Sequence, residues 1–333
     1  MDASDWLQSH QVAVYAAGVA LAVGFGVGLP SAAPLFERAI TPVLAVLLYV
    51  TFLEIPFTRF RAAFTDARFV GTALAMNFLV VPVVVYGLTR LLPQDPVVRV
   101  GVFMVLLTPC VDYVIAFTDL AGGDAEQVTA TTPALLVVQF LLLPAYLWLF
   151  TGGRAAGAIS GGPFVDAFLA LIAAPLALAW LTQLWADRSD AGRQWGDAMG
   201  LLPVPAMGAT LLVVIASQIP RVGDSIGEIA AVVPVYVAFL VVMPLLARLA
   251  AGLVRMDAGA ARALVFASVT RNSLVVLPLA LALPPRYALV PAVVVTQTLV
   301  ELAGMVALTR LVPERLVPGA PEPIAVPGFA GRG

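Results

Sequence analysis

Apolar residues run along this chain in long blocks, separated by short stretches rich in Arg, Gly, Pro or acids. The blocks lie at roughly 11–30, 38–54, 68–91, 98–120, 128–151, 163–186, 200–219, 229–253, 260–283 and 287–311. Each approaches the roughly 20 residues a helix needs to cross a bilayer. No sustained apolar–polar alternation over about ten residues marks a barrel strand. The pattern therefore predicts an all-α membrane protein of about ten transmembrane helices. The stretch TGGRAAGAISGGP (Thr151–Pro163) separates the blocks into two groups of five. This gives a first repeat over 1–151, a linker over 152–162, a second repeat over 163–311 and a Pro- and Gly-rich flexible tail over 312–333. An odd number of spans per half makes the second half enter the membrane in the opposite sense, the inverted-repeat plan common in secondary transporters. A shift of 162 residues supports this weakly: it carries Cys110 onto Asn272, Gln139 onto Glu301 and the fourth span onto the ninth.

Composition points the same way. Of 333 residues, 61% are hydrophobic and only 11% are charged. A soluble domain carries about 25% charged residues, so lipid must be the solvent for most of this chain. All the basic residues are Arg, the net charge is −2, and no basic stripe exists to hold nucleic acid. One cysteine and one histidine, Cys110 and His10, exclude an internal disulfide and the usual zinc sites, so no metal centre or cofactor is expected. The N-terminus, MDASDWLQSH, is acidic and lacks the basic region and cleavage motif of a signal peptide.

Three spans contain polar residues that lipid does not tolerate cheaply. The fourth reads VGVFMVLLTPCVDYVIAFTDLAGGD, with Pro109 removing a backbone donor beside Thr108, Cys110 and Asp112. A mid-depth acid costs about 2.5–3.5 kcal/mol on the insertion scale, so the segment predicts a broken helix at a polar cavity. The ninth reads RALVFASVTRNSLVVLPLALAL, interrupted by Ser268, Thr270, Arg271, Asn272 and Ser273. Arg271 is a permanent cation with five donors. It is either tied to Asp112 or to freed carbonyls, or it serves as a substrate anchor or built-in countercharge. In the tenth, Gln297 and Glu301 share a helical face; Glu301 is the favoured titrating group, with Asp112 the other candidate. Asn77 in ALAMNFLVVP is read as a bundle-facing hydrogen bonder, and Glu54 and Asp166 as interfacial.

At these residues the chain resembles the arsenite permeases of the bile-acid/sodium symporter superfamily. The stretch PCVDYVIAFTDLAGGDAEQ is similar to their fourth span and following loop, Met76–Pro82 (MNFLVVP) to their third, RNSLVVLPLALAL to their ninth and TLVELAG to their tenth. The resemblance implies two inverted five-span repeats, a panel and a core domain, and crossing broken helices four and nine. It also implies that Cys110 meets the substrate and that transport is efflux in exchange for protons. Leu274 stands where those permeases carry a ninth-span glutamate, and Arg271 where they carry an Asn. Sodium-coupled members place side-chain oxygens or amides at positions that here are Val114, Ile115, Ala267 and Arg271; Thr132 alone keeps an oxygen.

Two transport readings remain open. One is efflux of arsenite, a trivalent metalloid whose soft centre suits the Cys110 sulfur. The other is sodium-independent transport of a small organic anion held by Arg271. HExxH is absent, the sole histidine is His10, and no filter-like repeat marks a channel.

Orientation follows from Arg placement. With the N-terminus inside, eleven Arg lie on the cytoplasmic side and six outside, Arg271 being within a span. Both termini are therefore expected in the cytoplasm, with the protein in the plasma membrane. Single cysteines placed between spans two and three and between spans eight and nine, in a Cys110→Ala background, should resist a membrane-impermeant thiol reagent in intact cells. Labelling there would reverse the topology.

Overall fold

The computed structural model describes residues 6–7, 10–54, 66–92, 95–110, 113–152, 166, 169–222 and 226–319. Helices make up the described chain in the order α1 (Gln11–Gly28), α2 (Ala33–Glu54), α3 (Ala67–Leu91), α4 (Pro96–Leu106), α5 (Val114–Leu120), α6 (Ala125–Thr151), α7 (Ala174–Ala186), α8 (Asp190–Met199), α9 (Pro203–Val222), α10 (Ile226–Leu253), α11 (Ala258–Val269), α12 (Ser273–Leu281) and α13 (Val290–Leu311). Six helical stretches among them are by themselves long and apolar enough to cross a membrane. The fourth and ninth apolar blocks each appear as two short helices, α4 with α5 and α11 with α12, interrupted where Pro109 and the Thr270–Asn272 run predicted.

Polar caps start many of these helices. Asp66, Asp95, Asp124 and Asp257 each accept a backbone N–H in the first turn of α3, α4, α6 and α11, and Ser189 does so for α8. Such caps use acids where the four leading N–H groups have no intrahelical partner. Gly122, at φ 63°, takes the left-handed conformation that turns the chain from α5 toward α6.

The helices pack in two groups. In the first, α9 lies against α1 and α2, and α7 against α2. Gly18 and Gly208 let α1 and α9 approach so closely that a Cβ on Gly18 would sit 2.7 Å from the Gly208 carbonyl oxygen. Tyr49 bonds Thr182 at 3.0 Å, and Gln183 donates to the Leu53 carbonyl at 2.9 Å. The second group contains α3–α6 and α10–α13, with α10 against α11 and α13, and α13 against α4 and α12. Contacts of α9 with α13 and of α12 with α2 join the groups.

Two expectations are corrected. Residues from Val312 do not begin as a flexible tail: Val312–Leu316 form a π-helical turn, and Val317 is packed against the core. Arg262, one of the eleven Arg counted to the cytoplasmic loops and tail, instead lies within α11 and is buried. Its guanidinium donates to the carbonyls of Ala121, Gly122, Val317 and Gly319, clasping the α5–α6 turn and the end of the described chain to α11. Four carbonyls make burial of that cation tolerable, which charge alone could not reveal. Most of the proposed 152–162 linker lies outside the described residues.

Candidate functional site

The site is built where the two interrupted helix pairs cross. Proline has no N–H and pushes the preceding residue out of the helical region, so α4 stops at Leu106. The polar run from Thr270 stops α11. Each stop leaves extended backbone, and the two extended segments pair as an antiparallel β-bridge between Pro109 and Arg271. Cys110 N donates to Thr270 O at 3.1 Å, and Asn272 N donates to Thr108 O at 2.8 Å. Asn272 also caps α12 through its Oδ1, which accepts from Val275 N at 3.1 Å.

Arg271 is fully buried, yet its charge is well served. Its Nη1 donates to Leu106 O at 3.2 Å, its Nη2 to Ser268 O at 2.5 Å and to Asn77 Oδ1 at 2.8 Å, and its Nε to Val269 O at 3.4 Å. Three of these four oxygens belong to the last residues of α4 and α11, where carbonyls lack intrahelical donors and the helix dipole is negative. The fourth comes from a π-turn in α3, Met76–Val80, which presents Asn77 inward. Asn77 in turn donates to Ala73 O and Ala267 O, at 3.0 and 3.1 Å. The Phe239 ring lies 5.3 Å from the guanidinium carbon.

Glu301 is buried on α13 and is held by three residues. The Arg271 backbone N–H reaches both carboxylate oxygens, at 3.1 and 3.0 Å. The Tyr113 hydroxyl donates to Oε1 at 2.6 Å, and Gln297 donates to Oε2. No side-chain salt bridge joins Arg271 to Glu301 among the described residues. The bridge backbone carries the cation and the anion instead, one on each side of a single residue.

A cavity of about 260 Å³ opens between the two helix groups, at the end where α1, α6 and α9 begin and α2 and α5 end. Among the described residues, Gln11, Tyr15, Thr51, Glu54, Tyr113 and Asp119 are the polar members of its lining, with two carboxylates and no Arg. A second void, large enough for about one water, meets Ser273, Thr210 and Thr298 between α9, α12 and α13.

The structure brings together most of the residues singled out from the sequence. Pro109, Cys110, Arg271, Asn272 and Ser273 form the crossing, with Asn77, Gln297 and Glu301 bonded around it. Cys110 is fully buried and lines neither cavity. Thr132 makes no bond to the crossing among the described residues: its hydroxyl donates to Val128 O within α6 at 3.0 Å. Asp112 lies outside the described residues. Glu54 is exposed at the end of α2 and faces the first cavity, and Asp166 is exposed. Sequence reasoning missed Tyr113, an aromatic that reads as an ordinary interfacial or packing residue, and Phe239. Only adjacency to the Pro109 break marked Tyr113. Ser268 Oγ, Asn272 Nδ2, Ser273 Oγ and Gln297 Oε1 are buried near the crossing with no partner among the described residues. Such atoms are expected to face water or a ligand.

A family model described as the Sodium Bile acid symporter family matches residues 41–226, more than half of the chain. This chain belongs to the Sodium Bile acid symporter family. It is also similar to the Arsenical-resistance protein Acr3 of Corynebacterium glutamicum, 27% identical over 108 residues. That match covers 32% of this chain and 29% of the relative, so the chain spans under a third of the relative's length within it. As a Sodium Bile acid symporter family member, the chain is a multi-pass membrane protein of a transporter family.

In this member the fixed cation should hold the crossing together. Arg271→Met keeps length and removes every donor, leaving four buried oxygens unpaired and Glu301 without its countercharge. Breaking such a buried arrangement costs about 3–5 kcal/mol. Thermal unfolding in detergent should show Arg271→Met as strongly destabilised, with Arg271→Lys intermediate. A Met variant as stable as the wild type would show that the guanidinium bonds carry no weight.

Proposed function

We propose that this chain is a secondary active transporter that exports arsenite, or a similar uncharged trivalent metalloid hydroxide, in exchange for protons. One observation carries the reading: a single β-bridge holds the only thiol and a buried carboxylate. Cys110 bonds across the bridge to Thr270, and the next residue, Arg271, binds Glu301 through its N–H. A soft thiolate suits a thiophilic centre, and one sulfur gives a contact weak enough to release cargo. Glu301 is the proton carrier. The fold reading is ten crossings in two inverted five-span repeats, in the plasma membrane with both termini cytoplasmic. The bridge supports it: the 162-residue shift maps Thr108, Pro109 and Cys110 onto Thr270, Arg271 and Asn272, so the bridge pairs each segment with its own counterpart. Under the same shift, Pro109 has no N–H to match that of Arg271. Gln139, the counterpart of Glu301, is accordingly buried with neither amide atom partnered among the described residues.

The organic-anion reading is less favoured. The Arg271 guanidinium is already engaged by four oxygens, and among the described residues the cavity lining holds two carboxylates and no cation. That lining repels a carboxylate and admits a neutral hydroxide. Sodium coupling is not expected either: Val114, Ile115 and Ala267 offer no side-chain oxygen, and the guanidinium occupies the oxygen cage at the crossing.

Counterflow in proteoliposomes tests the reading. Arsenite should be transported, and a panel of carboxylates should not. Choline in place of sodium at fixed pH and ionic strength should leave the rate essentially unchanged. Cys110→Ser should abolish arsenite movement while the protein remains folded. Normal arsenite transport by Cys110→Ser, or carboxylate transport blocked by Arg271→Gln, would replace this reading with the organic-anion one.

A further inference from the structure

The Tyr113 hydroxyl has one proton and two acceptors. Glu301 Oε1 lies 2.6 Å away and the Arg271 carbonyl oxygen 3.0 Å away. Tyr113 also lines the cavity between the helix groups, whereas Glu301 is 1% exposed and does not. The tyrosine is thus the one described residue that both faces the cavity and bonds the buried carboxyl.

We propose that Tyr113 is the proton relay between the cavity and Glu301, and that its hydroxyl switches acceptor with the protonation of Glu301. This rests on the proton-exchange reading above. With Glu301 ionised, Tyr113 donates to Oε1. A proton arriving from cavity water adds to the tyrosine oxygen while the tyrosine's own proton passes along the 2.6 Å bond to Oε1. Only O–H bonds form and break; one proton enters, and Glu301 becomes neutral. The carboxyl then donates to the tyrosine oxygen, and the new tyrosine proton turns to the Arg271 carbonyl. The reverse sequence returns the proton to the cavity. Because that carbonyl belongs to the bridge, the switch also reports the charge of Glu301 to the crossing itself.

The surroundings leave this route little competition. Cys110 and Arg271 approach from the two helix breaks, and Gln297 from α13 itself. From α10 come Phe239, against the guanidinium, and Tyr236, whose hydroxyl donates to Val293 O at 3.0 Å. Asp119 and Glu54 stand along the cavity, beyond Tyr113. Among the described residues, Tyr113 supplies the one hydroxyl bonded to Glu301.

Tyr113→Phe removes the hydroxyl and keeps the ring, including its edge-on contact with Phe117 at 6.0 Å between centroids. In proteoliposomes, arsenite efflux driven by a pH gradient should fall by about a hundredfold, the low end of the range for loss of a proton-transfer group. Arsenite–arsenite exchange, which moves no net proton, should fall far less, and the pH profile of net efflux should flatten. Adding Glu301→Gln to Tyr113→Phe should cause no further loss relative to Glu301→Gln alone. Should the Phe variant not fold, 3-fluorotyrosine at position 113 keeps the hydroxyl but makes it more acidic, and the pH profile should shift. A Tyr113→Phe protein with wild-type gradient dependence, or an unshifted fluorotyrosine profile, overturns the relay alone. A wild type with no gradient-driven efflux overturns the exchange reading, and the relay with it.

Discussion

Helices that stop inside a bilayer leave backbone N–H and C=O groups that lipid cannot satisfy. In this protein two such interruptions answer each other. The extended backbone around Pro109 and Arg271 exchanges hydrogen bonds, and the Arg271 side chain takes up carbonyls at the ends of α4 and α11. One residue therefore serves the crossing twice, through its main chain and through its charge. The anchoring of Glu301, the inward turn of Asn77 in α3 and the placement of Cys110 all follow from that crossing. The π-turn in α3 exists where Asn77 must reach both the guanidinium and the Ala267 carbonyl.

Charge placement separates a fixed interior from an adjustable edge. The cation and the carboxylate at the centre are held by the bridge rather than by contact with each other, so a change in the proton content of Glu301 need not dismantle the cage around Arg271. Tyr113 sits at the boundary between that fixed pair and the cavity. The cavity itself lies between the two helix groups, where relative movement would change access to the crossing without breaking the hydrogen bonds inside it. Arg262 fixes the same end of the second group by tying α11 to the α5–α6 turn and to residues 317 and 319.

The sequence made the breaks legible because their causes are local: a proline in one apolar block and a polar run in another. Glu301 and Gln297 stood out by depth and spacing. The partners were not legible. The oxygens around Arg271 are mostly backbone carbonyls, which no side-chain pattern encodes. Arg262 read as a loop charge because its four carbonyl partners come from distant turns. Thr132 kept a hydroxyl at a suggestive position, yet helix geometry gave that hydroxyl to Val128. Tyr113 passed unnoticed because hydropathy treats a lone tyrosine within a span as a packing or interfacial residue, and only the crossing shows what its hydroxyl touches.

The central claim is that Glu301, anchored on the bridge, exchanges a proton for each cargo molecule. Proteoliposomes loaded with arsenite and a trapped pH dye measure both fluxes at once. As arsenite leaves, the lumen of wild-type vesicles should acidify in proportion to the arsenite lost, and Glu301→Gln vesicles should show no acidification per arsenite moved. Arsenite leaving wild-type vesicles with no change in lumenal pH, or equal acidification per arsenite in the Gln variant, would contradict it.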